Sequence, residues 1–189
     1  MAAVKRKPRW ERQVLRLKDK HTWKAPPGYK IFVADRGAVR FNYPRTWVIV
    51  PASDCIQLYD HPSPNDNCRL AVSYLRLPAV DWSGLPVADL IPTALLGDTR
   101  PVTARGQIVA VARDDLEAAW IEIRFVDPQE HREALSRLAI ARGSNLQALI
   151  TFDFWAEDRE RLIPIWDEVM RSVELGRYVA DPTVGDVLH

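Results

Sequence analysis

The chain has 189 residues, 47% of them hydrophobic and 27% charged, with a formal net charge of +1. These figures describe one ordinary globular domain plus an extension and remove any global electrostatic pull toward nucleic acid. No apolar run reaches 18 residues, so no helical membrane span is expected.

The charge is unevenly placed. Residues 1–24 carry nine basic side chains against Glu11 and Asp19, and the remaining chain has 17 basic and 23 acidic residues. This predicts a basic arm on a mildly acidic body. The first 30 residues lack the apolar stretch of a secretory signal, so a cytoplasmic location is expected. Cys55 and Cys68 flank a hairpin centred near Pro64. That register sets Cys68 opposite Asp60 and Cys55 opposite Ser73, too far apart for a disulfide, which suits a reducing compartment.

In chain order, Trp10, Val14 and Leu17 stand at helical spacing, and Pro8 fits the start of such a helix. Ala25-Pro26-Pro27-Gly28 breaks it. The expected division is a basic extension over 1–27, an α/β domain over 28–176 and a loose tail over 177–189. The body opens with an alternating strand, Val39–Tyr43. A turn at Pro44-Arg45-Thr46 leads to strands at Trp47–Val50, Ile56–Asp60 and Cys68–Leu77. A helix over 84–97 has the stripe Val87, Leu90, Ile91, Ala94 and Leu95, with Ser83 as a candidate N-cap and Pro92 interrupting it.

Strands over Gln107–Ala112, Ala118–Val126 and Ser136–Ala141 come next. Arg142-Gly143-Ser144-Asn145 reads as a hairpin turn into Leu146–Trp155, where Ala148, Ile150, Phe152 and Phe154 share a face. The last helix carries Leu162, Ile165, Trp166, Val169, Met170 and Val173, an amphipathic stripe at every step. Asp158 is its candidate cap and Gly176 its candidate stop. The fold class expected is α/β of the α+β type: an antiparallel sheet covered by helices, ending in a β-hairpin and a long amphipathic helix.

Two stretches carry a family resemblance over about residues 36–176. One is Phe41-Asn42-Tyr43-Pro44 with Trp47. The other is Asn145 through Asp153, ending in Thr-Phe-Asp, followed by Trp166 and Arg171-Ser172-Val173. In these the chain resembles the PsbP-like fold, whose relatives include photosystem II extrinsic proteins, yeast Ran-binding Mog proteins and bacterial DcrB-type domains. The resemblance implies a non-enzymatic binding protein, accessory subunit or chaperone. Its motifs are structural and transfer no site residue.

Candidate chemistry is thin. Asp60, His61, Asp66 and Cys68 are acceptable metal-ligand types around one loop, but Asp and Asn are also what a tight turn requires. Neither cysteine sits in a nucleophile signature. The carboxylates Asp114, Asp115 and Glu117, and Asp153, Glu157, Asp158 and Glu160, read as solvated turns, a helix start or an acidic docking surface rather than an acid/base pair. No glycine-rich phosphate loop occurs. No catalytic, metal or cofactor site is therefore assigned, and no cofactor is expected.

The basic arm supplies the candidate partner-binding residues, Arg9, Trp10, Arg12, Arg16 and Lys20. It suits docking to a protein or an anionic membrane surface, less so nucleic acid, or packing back on its own domain. The functional expectation is a non-catalytic protein-binding module, an accessory subunit or adaptor of a larger complex. Its alternatives are a DcrB-type secretion chaperone of the Eag kind and a membrane-surface subunit of an energy-converting complex. The oligomeric state is left open.

Overall fold

A computed structural model describes residues 10–18 and 21–185. In chain order these form strands β1 (Tyr29–Ala34), β2 (Val39–Pro44), β3 (Val48–Pro51), β4 (Ile56–Tyr59) and β5 (Cys68–Arg76), then helix α1 (Val87–Ala94). Strands β6 (Val102–Arg105), β7 (Val109–Arg113), β8 (Leu116–Val126), β9 (Glu133–Gly143) and β10 (Leu146–Trp155) follow, then a 3-10 turn (Ala156–Asp158), helix α2 (Arg159–Ser172) and a short strand β11 (Glu174–Leu175).

Tight turns make neighbouring strands antiparallel. They form two sheets rather than the single sheet expected. The large one runs β3-β4-β5-β10-β9-β8-β6, with β7 continuing the β6 side of β8, and the small one runs β1-β2-β11. The turn at Arg45-Thr46, closed by the Trp47 N–H donating to the Pro44 carbonyl, therefore carries the chain from one sheet to the other. Ser144 and Asn145 both adopt positive φ, as a two-residue hairpin connection between right-twisted strands requires. The β4–β5 register, with Ile56 opposite Val72 and Tyr59 opposite Arg69, extrapolates to the expected Asp60–Cys68 and Cys55–Ser73 juxtapositions, and both cysteines are free.

Strand alternation gives the large sheet two apolar faces. The inner face carries Leu70, Val72, Ile150, Phe152 and Leu135, and it buries them against α2 and the small sheet. Trp166 of α2 is buried there. It stacks on Phe152 with ring centroids 6.3 Å apart and meets Trp120 edge-on at 5.9 Å, while Trp47 lies 5.8 Å from Phe152 on the other side. The two stretches that carry the resemblance meet in space. The Asn42 N–H donates to Ser172 Oγ at 2.8 Å, and the Asn42 side-chain amide donates to Glu168 at 2.7 Å. Arg113 closes the far end of α2 by donating to the Arg171 carbonyl at 2.6 Å and to the Val173 carbonyl, which satisfies carbonyls that a helix end leaves without partners.

Several boundaries differ from expectation. Residues 10–18 form no helix. Arg12 and Arg16 stand at i, i+4 and repel, a short helix is marginal in water, and Trp10 gains more by packing on the inner core. Strand β1 lies ahead of the expected first strand, hidden behind the Pro-Pro-Gly break. Helix α1 starts at Val87 with Pro86 at its N-cap, and Ser83 instead donates its N–H to Asp81. Helix α2 stops at Ser172, ahead of Gly176, because the chain turns into β11. Asp158 stands at the N-cap position of α2 as expected, but its side chain accepts from Arg161 rather than from the helix N–H groups.

Residues 177–185 are pinned. Val179 is buried and its N–H donates to the Arg36 carbonyl at 2.8 Å. Gly37, at φ +116°, lies so close to the Arg177 carbonyl that any Cβ there would overlap it.

Candidate functional site

The outer face of the large sheet is only partly covered. An eight-residue α1 spans about 12 Å, enough for two or three strands at 4.8 Å spacing. It buries Val87, Ile91 and Leu95 against Ala119, Ile121 and Ile123 of β8 and Leu138 and Ile140 of β9. Glu117 fixes its position. One carboxylate oxygen accepts the Val87 N–H at 2.9 Å, while the other accepts from Arg142 at 2.6 Å, and Arg142 also donates to the Leu85 carbonyl at 2.7 Å. A tertiary carboxylate thus replaces the missing side-chain N-cap.

Beyond α1, the outer faces of β10 and β5 lie open. Register places Leu149 opposite Ser73 and Ile140, and Gln147 opposite Leu75. Leu149 and Leu75 are exposed, and with Ala94, Gln147 and Ser73 they line a groove of about 360 Å³. Leu96, at the end of α1, is 84% exposed. Exposed leucines on adjoining elements form a patch rather than isolated surface residues.

An ion network closes one end of this face. The Asp153 carboxylate accepts from Ser136 at 2.5 Å, Arg100 at 3.0 Å and Arg69 at 2.7 Å, and Arg100 also grips Asp98 at 2.6 Å. Arg100 holds the Asp98 carboxyl below its usual range.

The candidate carboxylates are thus largely neutralised by arginines: Asp115 by Arg177 at 2.9 Å, Glu157 by Arg132 at 2.5 Å, and Glu117 and Asp153 as above. The Asp60 carboxylate accepts the N–H groups of Asn67 and Cys68 and so builds its own loop. Burial, with the Asp60 charge second, pushes the Cys68 thiol well above its ordinary value, the opposite of an activated nucleophile.

Of the arm residues, Arg9 and Lys20 lie outside the described residues. Trp10 is half-buried, its ring centroid 6.4 Å from that of Tyr74, whereas Arg12 and Arg16 are exposed. Residues 10–15 and Leu17 line a cleft of about 430 Å³ with β1, Ile49 and Ile56. Which residues line the open face is not evident in the sequence, because β5 and β10 read as cleanly alternating. Its signal is a large apolar residue in the polar phase, Leu75 after Arg69, Ala71 and Ser73, and Leu149 between Gln147 and Thr151.

Two packed sheets, a long helix on the inner face and a short one on the outer define a PsbP-like α+β fold. The solution structure of cyanobacterial PsbP (CyanoP) from Synechocystis sp. PCC 6803 is similar, with a TM-score of 0.52 and 16% identity, over 80% of this chain and 94% of that one. So is the crystal structure of LpqN, described as involved in cell envelope biogenesis of Mycobacterium tuberculosis (TM-score 0.52, 14% identity, 77% and 88% covered). The chain belongs to the Alr1449 family, whose model matches residues 30–179. It is 45% identical to the uncharacterized protein alr1449 of Nostoc sp. (strain PCC 7120) over 177 residues, 93% of this chain and 92% of that protein.

Proposed function

We propose that this chain is a non-catalytic protein-binding module, an accessory subunit or adaptor that docks its partner on the open outer face of β5 and β10. The observation that carries this reading is the groove between α1 and β10, where Leu75 and Leu149 are exposed among small and amide side chains on a rigid sheet. Such apolar patches rimmed by polar groups characterise protein interaction sites. Ion pairing of the candidate carboxylates and the buried Cys68 thiol speak for binding over chemistry. The exposed Arg12 and Arg16 offer a secondary contact for an acidic partner, with Trp10 as the anchor that holds the arm in place. Two free thiols fit a cytoplasmic setting.

The test is co-purification from native cells of tagged wild type and of Leu75→Asp/Leu149→Asp. Both side chains are exposed, so the variant keeps its fold by circular dichroism. The reading requires a stoichiometric partner of the wild type whose recovery falls at least about tenfold with the variant. Equal recovery by both proteins removes the docking face, and the absence of any partner removes the function.

A further inference from the structure

Ten consecutive residues, 103–112, are exposed. They form the outer rim of the large sheet, where β6 and β7 pair with β8 on one side and, among the described residues, with nothing on the other. Within β7 and the residue before it, Ile108, Val109 and Val111 are 40%, 40% and 37% exposed, and Ala110 and Ala112 complete an uncharged run. Soluble proteins normally guard such an edge with a charge, a proline or a bulge beside the exposed backbone. The one charged side chain inside β7, Arg113, is turned away from that duty, because its guanidinium donates to the Arg171 and Val173 carbonyls of its own chain.

We infer that β7 is a homodimerisation edge, where a second copy of this chain pairs antiparallel across a two-fold axis at Ala110 and makes one continuous sheet through both protomers. Three observations select this occupant and this register. Antiparallel pairing within one sheet keeps each side chain on its own face, so the residue numbers of opposing positions must share parity. An axis at Ala110 sets Val109 against Val111 of the second copy and brings the valines of both chains together on the inner face, beside Trp120, which stands opposite Val109 on β8. Beyond the strand the same register brings Arg105 toward the Asp114-Asp115 turn of the second copy, where Asp115 already holds Arg177 and the exposed Asp114 next to it supplies the attraction, repeated by symmetry. An axis at Val109 instead sets Arg105 against Arg113, and one at Val111 leaves Asp114 opposite Ile108, so neither matches charge with charge. The small Ala110 on the axis lets the two backbones approach.

The edge lies away from the docking groove on β5 and β10, and the inference is independent of it. A single strand pair is at the small end of interface sizes, so association in the range of roughly 10–500 µM is expected. Sedimentation velocity of the full chain should show a monomer that converts to dimer as concentration rises. Ala110→Lys places like charges directly opposite each other across the axis and should weaken dimerisation by at least about tenfold. Ala110→Cys, in a Cys55→Ser background, brings two thiols across an antiparallel pair about 5 Å apart at Cα, within disulfide reach. It should cross-link under mild oxidation. Ala112→Cys, with its symmetry mate roughly 13 Å away, should not. A chain that stays monomeric at about 500 µM, a dimer indifferent to Ala110→Lys, or equal cross-linking at 110 and 112 each overturns the inference.

Discussion

Arg137 is buried beneath α2, yet it carries a permanent charge. Its Nε donates to Glu122 at 2.7 Å, its guanidinium lies 4.8 Å from the Trp120 ring and 5.9 Å from the Trp166 ring, and its side chain is 5% exposed. Arg137→Ala removes the cation and leaves a carboxylate in apolar surroundings, a change that costs about 3–5 kcal/mol when the partner is fully stranded. Here the cost falls toward the lower figure, because Glu122 is 19% exposed and keeps Arg159 at 3.3 Å. The expectation is therefore about 3 kcal/mol, or a fall in melting temperature of roughly 6–12 °C for a chain of this length. Urea unfolding followed by tryptophan fluorescence measures it directly, since Trp120 and Trp166 report on the site, and an unchanged denaturant slope shows that the unfolded state has not shifted. The double variant Arg137→Met/Glu122→Leu removes both charges and should return to within about 1 kcal/mol of wild type. A loss below about 0.5 kcal/mol for Arg137→Ala, or a double variant no better than the single, refutes the claim that an unpaired buried charge sets the penalty.

Three other outcomes are expected. Trp166→Ala empties the sheet–helix contact and should cost about 4 kcal/mol by the same urea assay. Glu117→Ala removes the side-chain oxygen that accepts the Val87 N–H at the start of α1 and the partner of Arg142. It should cost about 2 kcal/mol and raise amide hydrogen exchange within α1 ahead of the rest of the domain. Arginine hydrogen bonds depress the carboxyls of Asp98, Asp115 and Glu168. The native state therefore binds fewer protons than the unfolded chain as pH falls through the usual carboxylate range near 4. Stability present above that range is lost below it, and urea midpoints should fall as the pH drops from about 5 to 3. A midpoint flat across that window would show that these pairs contribute nothing.

What could be read from the sequence was whatever repeats a local period. Leu146–Trp155 matches β10 residue for residue, and the Trp166 stripe lies where α2 meets the sheet, because alternation and the 3.6-residue period report directly on burial. The elements missed lack that local signal. β11 is two residues long and exists only because β2 pairs with Glu174 and Leu175. β1 starts just after two prolines and a glycine, and its exposed Lys30 leaves a short apolar pattern, Ile31 to Ala34, which the partner strand completes. The division into two sheets is likewise a matter of which strands pair, and that depends on contacts far apart in the chain. The lining of the groove proposed for docking is not legible in the sequence for a different reason. Nothing about Leu75 or Leu149 in isolation says whether a helix covers them, and that is decided by where Glu117 anchors α1.

The basic arm is engaged in part by its own chain. Its excess positive charge invites an external anion, yet part of it is answered within the chain. Lys18 pairs with Asp181 at 3.0 Å while its N–H donates to the Thr183 carbonyl, His21 bonds the Pro182 carbonyl at 2.9 Å, and Thr22 donates to the Gly185 carbonyl at 3.0 Å. The Thr183 hydroxyl and N–H, with Lys18, hold the Asp181 carboxyl down to about 2, so that anion persists through ordinary pH. Trp23 is buried beneath the Arg40 guanidinium at 4.2 Å, and Trp10 rests on the inner core. Lys18, His21 and Thr22 therefore clasp residues 181–185, while Arg12 and Arg16 are exposed, with Arg12 on the cleft beside β1. A partner that engages the arm must either read those outward cations in place or displace Trp10 from the core, and burial of an aromatic ring makes the first route the cheaper one.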